Sequence, residues 1–150
     1  MRTYLVVIDE QDEARVALRF AARRAAKTGG EVAILALIPP PEFVQWGGVQ
    51  AAMEEEARLR ADALVAQVAG ELIEETGLKP TITVRSGDPV ATVREVLKKR
   101  PETAALVLGA AADGSPGPLL SHFASDAGSM PCPLMIVPGS LSDEALDRLS

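Results

Sequence analysis

Five short apolar runs, separated by segments of helical periodicity, limit this chain to very few folds. Thr3 to Ile8 reads Thr-Tyr-Leu-Val-Val-Ile. The run lacks the polar alternation of a half-exposed strand, so both its faces must be covered, as in a parallel sheet. Asp9 ends it. A helix is predicted from Asp12 to Thr28, with Ala14, Ala17, Leu18, Ala21 and Ala25 on one face, Phe20 beside it and the arginines turned away. Gly29-Gly30 stops that helix.

The same alternation continues to the end of the chain. Val32 to Ile38 reads as a second buried strand, broken by Pro39-Pro40-Pro41. A loop carrying Phe43 and Trp46 follows, with Trp46 placed to cover the sheet end or simply to pack the loop. A long helix is predicted from Val49 to Thr76, with Leu64, Val68 and Leu72 at four-residue steps and Gly77 as its stop. Glu54-Glu55-Glu56 near its start suits the positive end of a helix, or forms a solvated face. Thr81 to Val84 is the third strand. Gly87-Asp88-Pro89 then supplies a turn, an N-cap and a proline for the first helical position. That helix runs to Arg100 and buries Val90, Val93, Val96 and Leu97. Ala104 to Leu108 is the fourth strand, and Gly109 to Pro118 a loop of small residues. A short helix is expected from Ser121 to Ser129, and Leu134 to Val137 forms the fifth strand. One or two helical turns are expected in the tail after Ser142.

Strands alternating with helices imply right-handed crossovers and a doubly wound, Rossmann-like parallel sheet with helices on both faces. The 150 residues suit one domain, 1–150, with a short tail over 139–150. Ligands of such sheets sit beyond the C-terminal strand ends, where the strand order reverses. That points to Asp9 and to the loop opening at Gly109.

Composition excludes several function classes. Aromatic residues are 3% of the chain, so the core must be aliphatic and alanine-rich. Fifteen Lys and Arg against 21 Asp and Glu leave a net charge of −6. No excess of cations is available to displace counterions, which argues against nucleic-acid and anionic-membrane partners. A single cysteine, Cys132, and a single histidine, His122, leave no internal disulfide and no Cys- or His-based metal site. No apolar run reaches membrane-spanning length, and the chain opens directly into a strand without a signal segment, so a cytoplasmic location is expected. Neither the dinucleotide fingerprint nor the P-loop is present. Asp9-Glu-Gln-Asp-Glu13 stands where adenylating enzymes and flavodoxin-like proteins carry a Gly, Ser or Thr loop. An enzyme is therefore the least favoured reading.

The residues resemble the universal stress protein family along nearly the whole chain. Tyr4-Leu-Val-Val-Ile-Asp9 is similar to its first strand ending in aspartate. Val84-Arg-Ser-Gly-Asp-Pro89 is similar to its turn before the third helix. Ala104-Ala-Leu-Val-Leu-Gly109 is similar to its fourth strand, and Pro131-Cys-Pro-Leu-Met-Ile-Val137 to its closing strand. The resemblance implies strand order 3-2-1-4-5 and a homodimer formed through the last strand, Leu134 to Val137. A short apolar edge agrees with such pairing, although flanking prolines and an acidic tail could instead shield it.

Some members of the family bind ATP through a glycine, two residues, a second glycine, nine residues and a Gly-Ser or Gly-Thr pair. Glycines let backbone amides approach phosphates, and the hydroxyl sits at a helix N-terminus. Gly109 matches the first glycine. The second falls on Ala112 and the final pair on Leu120-Ser121, in a loop about two residues shorter than the pattern. An alternative register, Gly114-Ser-Pro-Gly117 with Gly128-Ser129, places its final pair at the wrong end of the last helix. Gly128 then reads as a helix C-cap. The resemblance implies that Asp9 holds an adenine amine or ribose hydroxyl, against a plain turn-capping role. Ser121 is either a phosphate ligand or an N-cap, Ser115 a solvent-exposed loop hydroxyl, His122 a surface residue and Cys132 a small core residue. Between Arg100 and Arg148 there is no Lys or Arg, while carboxylates surround the loop. Without magnesium, electrostatics oppose a polyphosphate. The expected function is therefore a non-catalytic stress-response binding protein with a degraded nucleotide pocket, acting through an unidentified protein partner or a weak ligand. The alternative is an ATP- or AMP-binding member, with Mg2+ and at most slow ATP hydrolysis.

Overall fold

Every strand of the sheet is parallel to its neighbours, and the order is β3-β2-β1-β4-β5. The strands are β1 Thr3–Ile8, β2 Glu31–Ile38, β3 Thr81–Ser86, β4 Thr103–Ala110 and β5 Leu134–Pro138. The helices are α1 Asp12–Thr28, α2 Gly47–Thr76, α3 Pro89–Lys99, α4 Pro118–Ser125 and α5 Asp143–Leu149. The computed structural model describes residues 2–38 and 47–150. The proline break, Phe43 and Trp46 lie outside the described residues.

The sheet is the core, as its composition requires. All six residues of β1 are buried, and the first strand touches β2 on one side and β4 on the other. Chain order therefore reverses at β1, which places the switch-point crevice beside Asp9 and Gly109. One face is covered by α1, whose Ala17, Ala21 and Ala25 are fully buried, together with Val68 and Leu72 of α2 and Leu146 of α5. The other is covered by Val93, Val96 and Leu97 of α3 with Leu120 and Phe123 of α4. Alanines on α1 let the helix axis approach the sheet closely, which a core poor in aromatics needs. Among the described residues no helix is long and apolar enough to cross a membrane.

Local signals account for most boundaries. Gly29 adopts φ 72° and closes α1. The Asp88 carboxylate accepts the Ala91 amide at 2.9 Å, and Pro89 occupies the first position of α3. Three expectations need correction. The fourth helix starts at Pro118, not Ser121, because Gly117 at φ 107° swings the chain into a helix whose first φ is preset by proline. It ends at Ser125, and Gly128 lies inside a separate 3-10 turn, Ala127–Ser129, instead of capping α4. The second helix starts at Gly47, so Glu54 to Glu56 lie beyond its first turn and form a solvated face. The tail is ordered: Ser142 caps α5 through the Ala145 amide at 3.1 Å, and Leu146 is fully buried. Lys27 bonds both the Asp147 carbonyl and the Ser150 hydroxyl.

Candidate functional site

A cleft of about 700 Å³ opens at the C-terminal ends of β1, β2 and β4. That is within the range of small-molecule sites. Its walls are mostly apolar: Val7, Leu37, Ile38, Val90, Leu108, Leu119 and Leu120. Among the described residues its charged side chains are Asp9, Glu13 and Asp88, and no Lys, Arg or His lines it. A smaller recess of about 160 Å³ lies on the other side of Asp9, against α2, where Arg60 pairs with Glu10 at 3.4 Å.

Asp9 is placed here by the end of β1. Its Oδ1 accepts the Gln11 amide at 2.9 Å, which is the turn-capping role the sequence allowed. One carboxylate oxygen is thus engaged, while the side chain still lines the cleft. Burial raises its pKa above the ordinary aspartate value. The Gln11 amide opposes that shift, and the carboxylates of Glu13 and Glu10 add to it.

Gly109 also lines the cleft, but the fold itself demands a glycine there. A Cβ at this position would overlap the carbonyl oxygen of Glu13 and lie 2.6 Å from its carbonyl carbon. A Cβ at Gly139 would lie 2.7 Å from the Ala110 oxygen and 2.9 Å from the Glu13 Cβ. The first turn of α1 is therefore seated between the ends of β4 and β5. The glycine that the sequence assigns to a phosphate loop has a packing reason independent of any ligand.

The structure does not bring the other two candidates into this space. Ala112 is exposed and does not line the cleft, where its neighbour Ala111 does. Its φ is negative, as for every described non-glycine residue. Ser121 is exposed, and its amide bonds the Gly117 oxygen at 3.0 Å inside α4. The loop instead turns at Gly114, φ 73°, and Gly117, and it presents Ser115, Pro116 and Gly117 to the cleft. Proline at the first position of α4 removes one donor, leaving the Leu119 and Leu120 amides at that helix end. Leu120 is buried at the cleft wall, where its side chain takes up space beside those amides.

His122 lies outside the cleft lining. Its Nε2 is 3.3 Å from both Arg94 Nη2 and Asp126 Oδ2, and Arg94 also pairs with Asp126. Cys132 is half-buried in the α3–α4 layer, and burial raises its thiol pKa, opposite to what a nucleophile needs. Among the described residues no three metal-ligating side chains converge. A magnesium ion would have to enter on phosphate oxygens, with Asp9, Glu13 or Asp88 as the available carboxylates.

Sequence reasoning missed the contributions of Leu37, Ile38, Pro89 and Val90. The available signal was topological: with β2 next to β1, the end of β2 and the start of α3 must flank the switch point.

Comparison with known proteins agrees with this fold. The model described as the universal stress protein family matches residues 1–138. No curated protein matches the sequence. Among solved structures, universal stress protein UspA from Lactobacillus plantarum superposes with TM-score 0.76 at 18% identity, covering 91% of this chain and 97% of its own. A universal stress protein from Archaeoglobus fulgidus in complex with dAMP gives TM-score 0.61 at 18% identity, with 91% and 97% covered. A universal stress protein in complex with cAMP gives TM-score 0.62 at 17% identity, with 93% and 98% covered. At these identities the likeness is one of fold.

Proposed function

The chain belongs to the universal stress protein family, and from that premise we propose that it is a non-catalytic stress-response binding protein with a degraded nucleotide pocket. The cleft receives the nucleoside end of an adenine nucleotide weakly and holds a polyphosphate poorly. The observation that carries this is its lining among the described residues: three carboxylates, no cation, and Gly109 already closed over by the Glu13 backbone. A triphosphate there would face like charges in a partly apolar space, where repulsion is screened less than in water. Asp9 offers one free carboxylate oxygen to an adenine amine or a ribose hydroxyl. The chain acts as a cytoplasmic homodimer through β5 and passes its signal to a protein partner.

A second reading has its own support, since related structures hold dAMP and cAMP. In it Asp9 holds the nucleoside, the Leu119 and Leu120 amides meet the phosphates, and hydrolysis is slow at most. Calorimetric titration with AMP and ATP, each with and without magnesium, separates the two. The proposed function expects ATP to bind more weakly than AMP, and more weakly than about 1 mM. ATP binding tighter than that, and lost on Asp9→Ala, would replace it with the second reading.

A further inference from the structure

The second helix is apolar on two opposite faces, and the described residues pack on only one of them. Val65, Val68, Ala69 and Leu72 are buried toward α1 and the sheet. On the far side Leu59, Ala63, Ala66, Gly70 and Ile73 follow one another at steps of four and three residues and are all exposed. At 100° per residue they stay within about 80° of arc. Leu59 is 57% and Ile73 42% exposed, so the face is not apolar through small residues alone. Gly70 adds a second oddity. It sits mid-helix, with nothing within 4 Å of where a Cβ would be, so no packing among the described residues asks for glycine. Glycine there weakens the helix relative to alanine. A close approach from outside the chain gives it a reason.

Charge along the seam decides what fits. Glu55, Glu56, Asp62 and Glu74 border it, and among the described residues none of the four makes an ion pair. Arg58 is the basic residue on that border without an ion pair among the described residues, because Arg60 is turned to Glu10. Two copies packed seam to seam would bring eight carboxylates together against two such arginines. An anionic bilayer would be repelled in the same way.

We propose that this outer face of α2 docks an amphipathic helix of a partner protein, whose apolar stripe is flanked by Lys and Arg. Its stripe packs on Leu59, Ala66 and Ile73, its backbone approaches over Gly70, and its cations meet the four carboxylates. This names the surface for the partner role proposed above and does not depend on what the cleft binds.

The test uses a synthetic helical peptide with a Leu and Ala stripe flanked by lysines, and a second peptide with the same stripe flanked by glutamates. Each is titrated into the full chain by fluorescence anisotropy and by amide chemical shifts. The lysine peptide should bind at least tenfold more tightly than the glutamate peptide and shift the amides from Leu59 to Ile73. Ala66→Glu should weaken the lysine peptide at least tenfold, although it adds a carboxylate and keeps a strong helix former. Equal or tighter binding to that variant would reduce the contact to bulk charge and overturn the proposal. So would shifts confined to the cleft, or no binding at all. Self-association of the protein alone that disappears in Ala66→Glu would also overturn it, by assigning the face to a second copy.

Discussion

Asp9 takes the turn-capping role without leaving the cleft wall. Its carboxylate ties the turn after β1 through the Gln11 amide and also lines the cleft. Burial raises its pKa, with Glu13 and Glu10 adding to the effect, so the folded protein holds that proton more tightly than the unfolded chain. The sign of the linkage follows. The contribution of Asp9 to stability is fully present below its ordinary value of 3.8 and is lost as pH rises through the raised one. An asparagine keeps an oxygen for the Gln11 amide and carries no charge. Asp9→Asn should therefore be more stable than the wild type at pH 7, with the difference shrinking as pH falls toward 4. Urea unfolding across that range checks it. A gain that stays constant with pH would show that charge at Asp9 is not what costs stability.

The elements were legible where periodicity and caps agree, as in β1, α1 and α3, because each signal is local. Asp88 and Pro89 define a helix start without reference to anything distant. The start of α4 is hidden in the sequence because Ser121 offers a familiar hydroxyl cap, while Gly117 and Pro118 act through backbone φ. Ser121 and Ala112 are sites by motif position alone, and both lie outside the cleft lining. Gly109 was found for a phosphate-loop reason, yet its packing reason needs the position of Glu13, 96 residues earlier in the sequence. No local pattern contains such a contact. The seating of α1 on β4 makes Gly109→Ala a sharp test of that packing. The added methyl meets backbone, which cannot rotate away, so the helix start must shift. A loss of about 1–3 kcal/mol is expected in urea unfolding. A neutral result would mean that the α1 start is looser than the glycine contact implies.

At the scale of the whole molecule, the two edges of the sheet differ. At one edge β3 reads Thr-Ile-Thr-Val-Arg-Ser, mostly polar, with Ile82 its one large hydrophobic residue that is more than a third exposed. At the other, β5 reads Leu-Met-Ile-Val-Pro, with Ile136 47% exposed and Leu134 and Met135 half-buried. An edge of that composition is a template for another strand unless something covers it. Pro133 and Pro138 bracket it without burying Ile136, and α5 is spent on the α1 side, where Leu146 is fully buried. The ordered tail therefore does not answer the edge problem; in the homodimer proposed above, a second copy across a two-fold axis would, with each Ile136 close to its counterpart. Ile136→Lys places like charges at that axis and leaves the buried core untouched. The variant should elute and scatter as a monomer where the wild type is a dimer, with unchanged far-UV circular dichroism. A wild-type chain that is already monomeric at high concentration would remove β5 pairing from the proposed function. A dimer that survives Ile136→Lys would move the interface elsewhere, and loss of that dimer in Ala66→Glu would place it on α2.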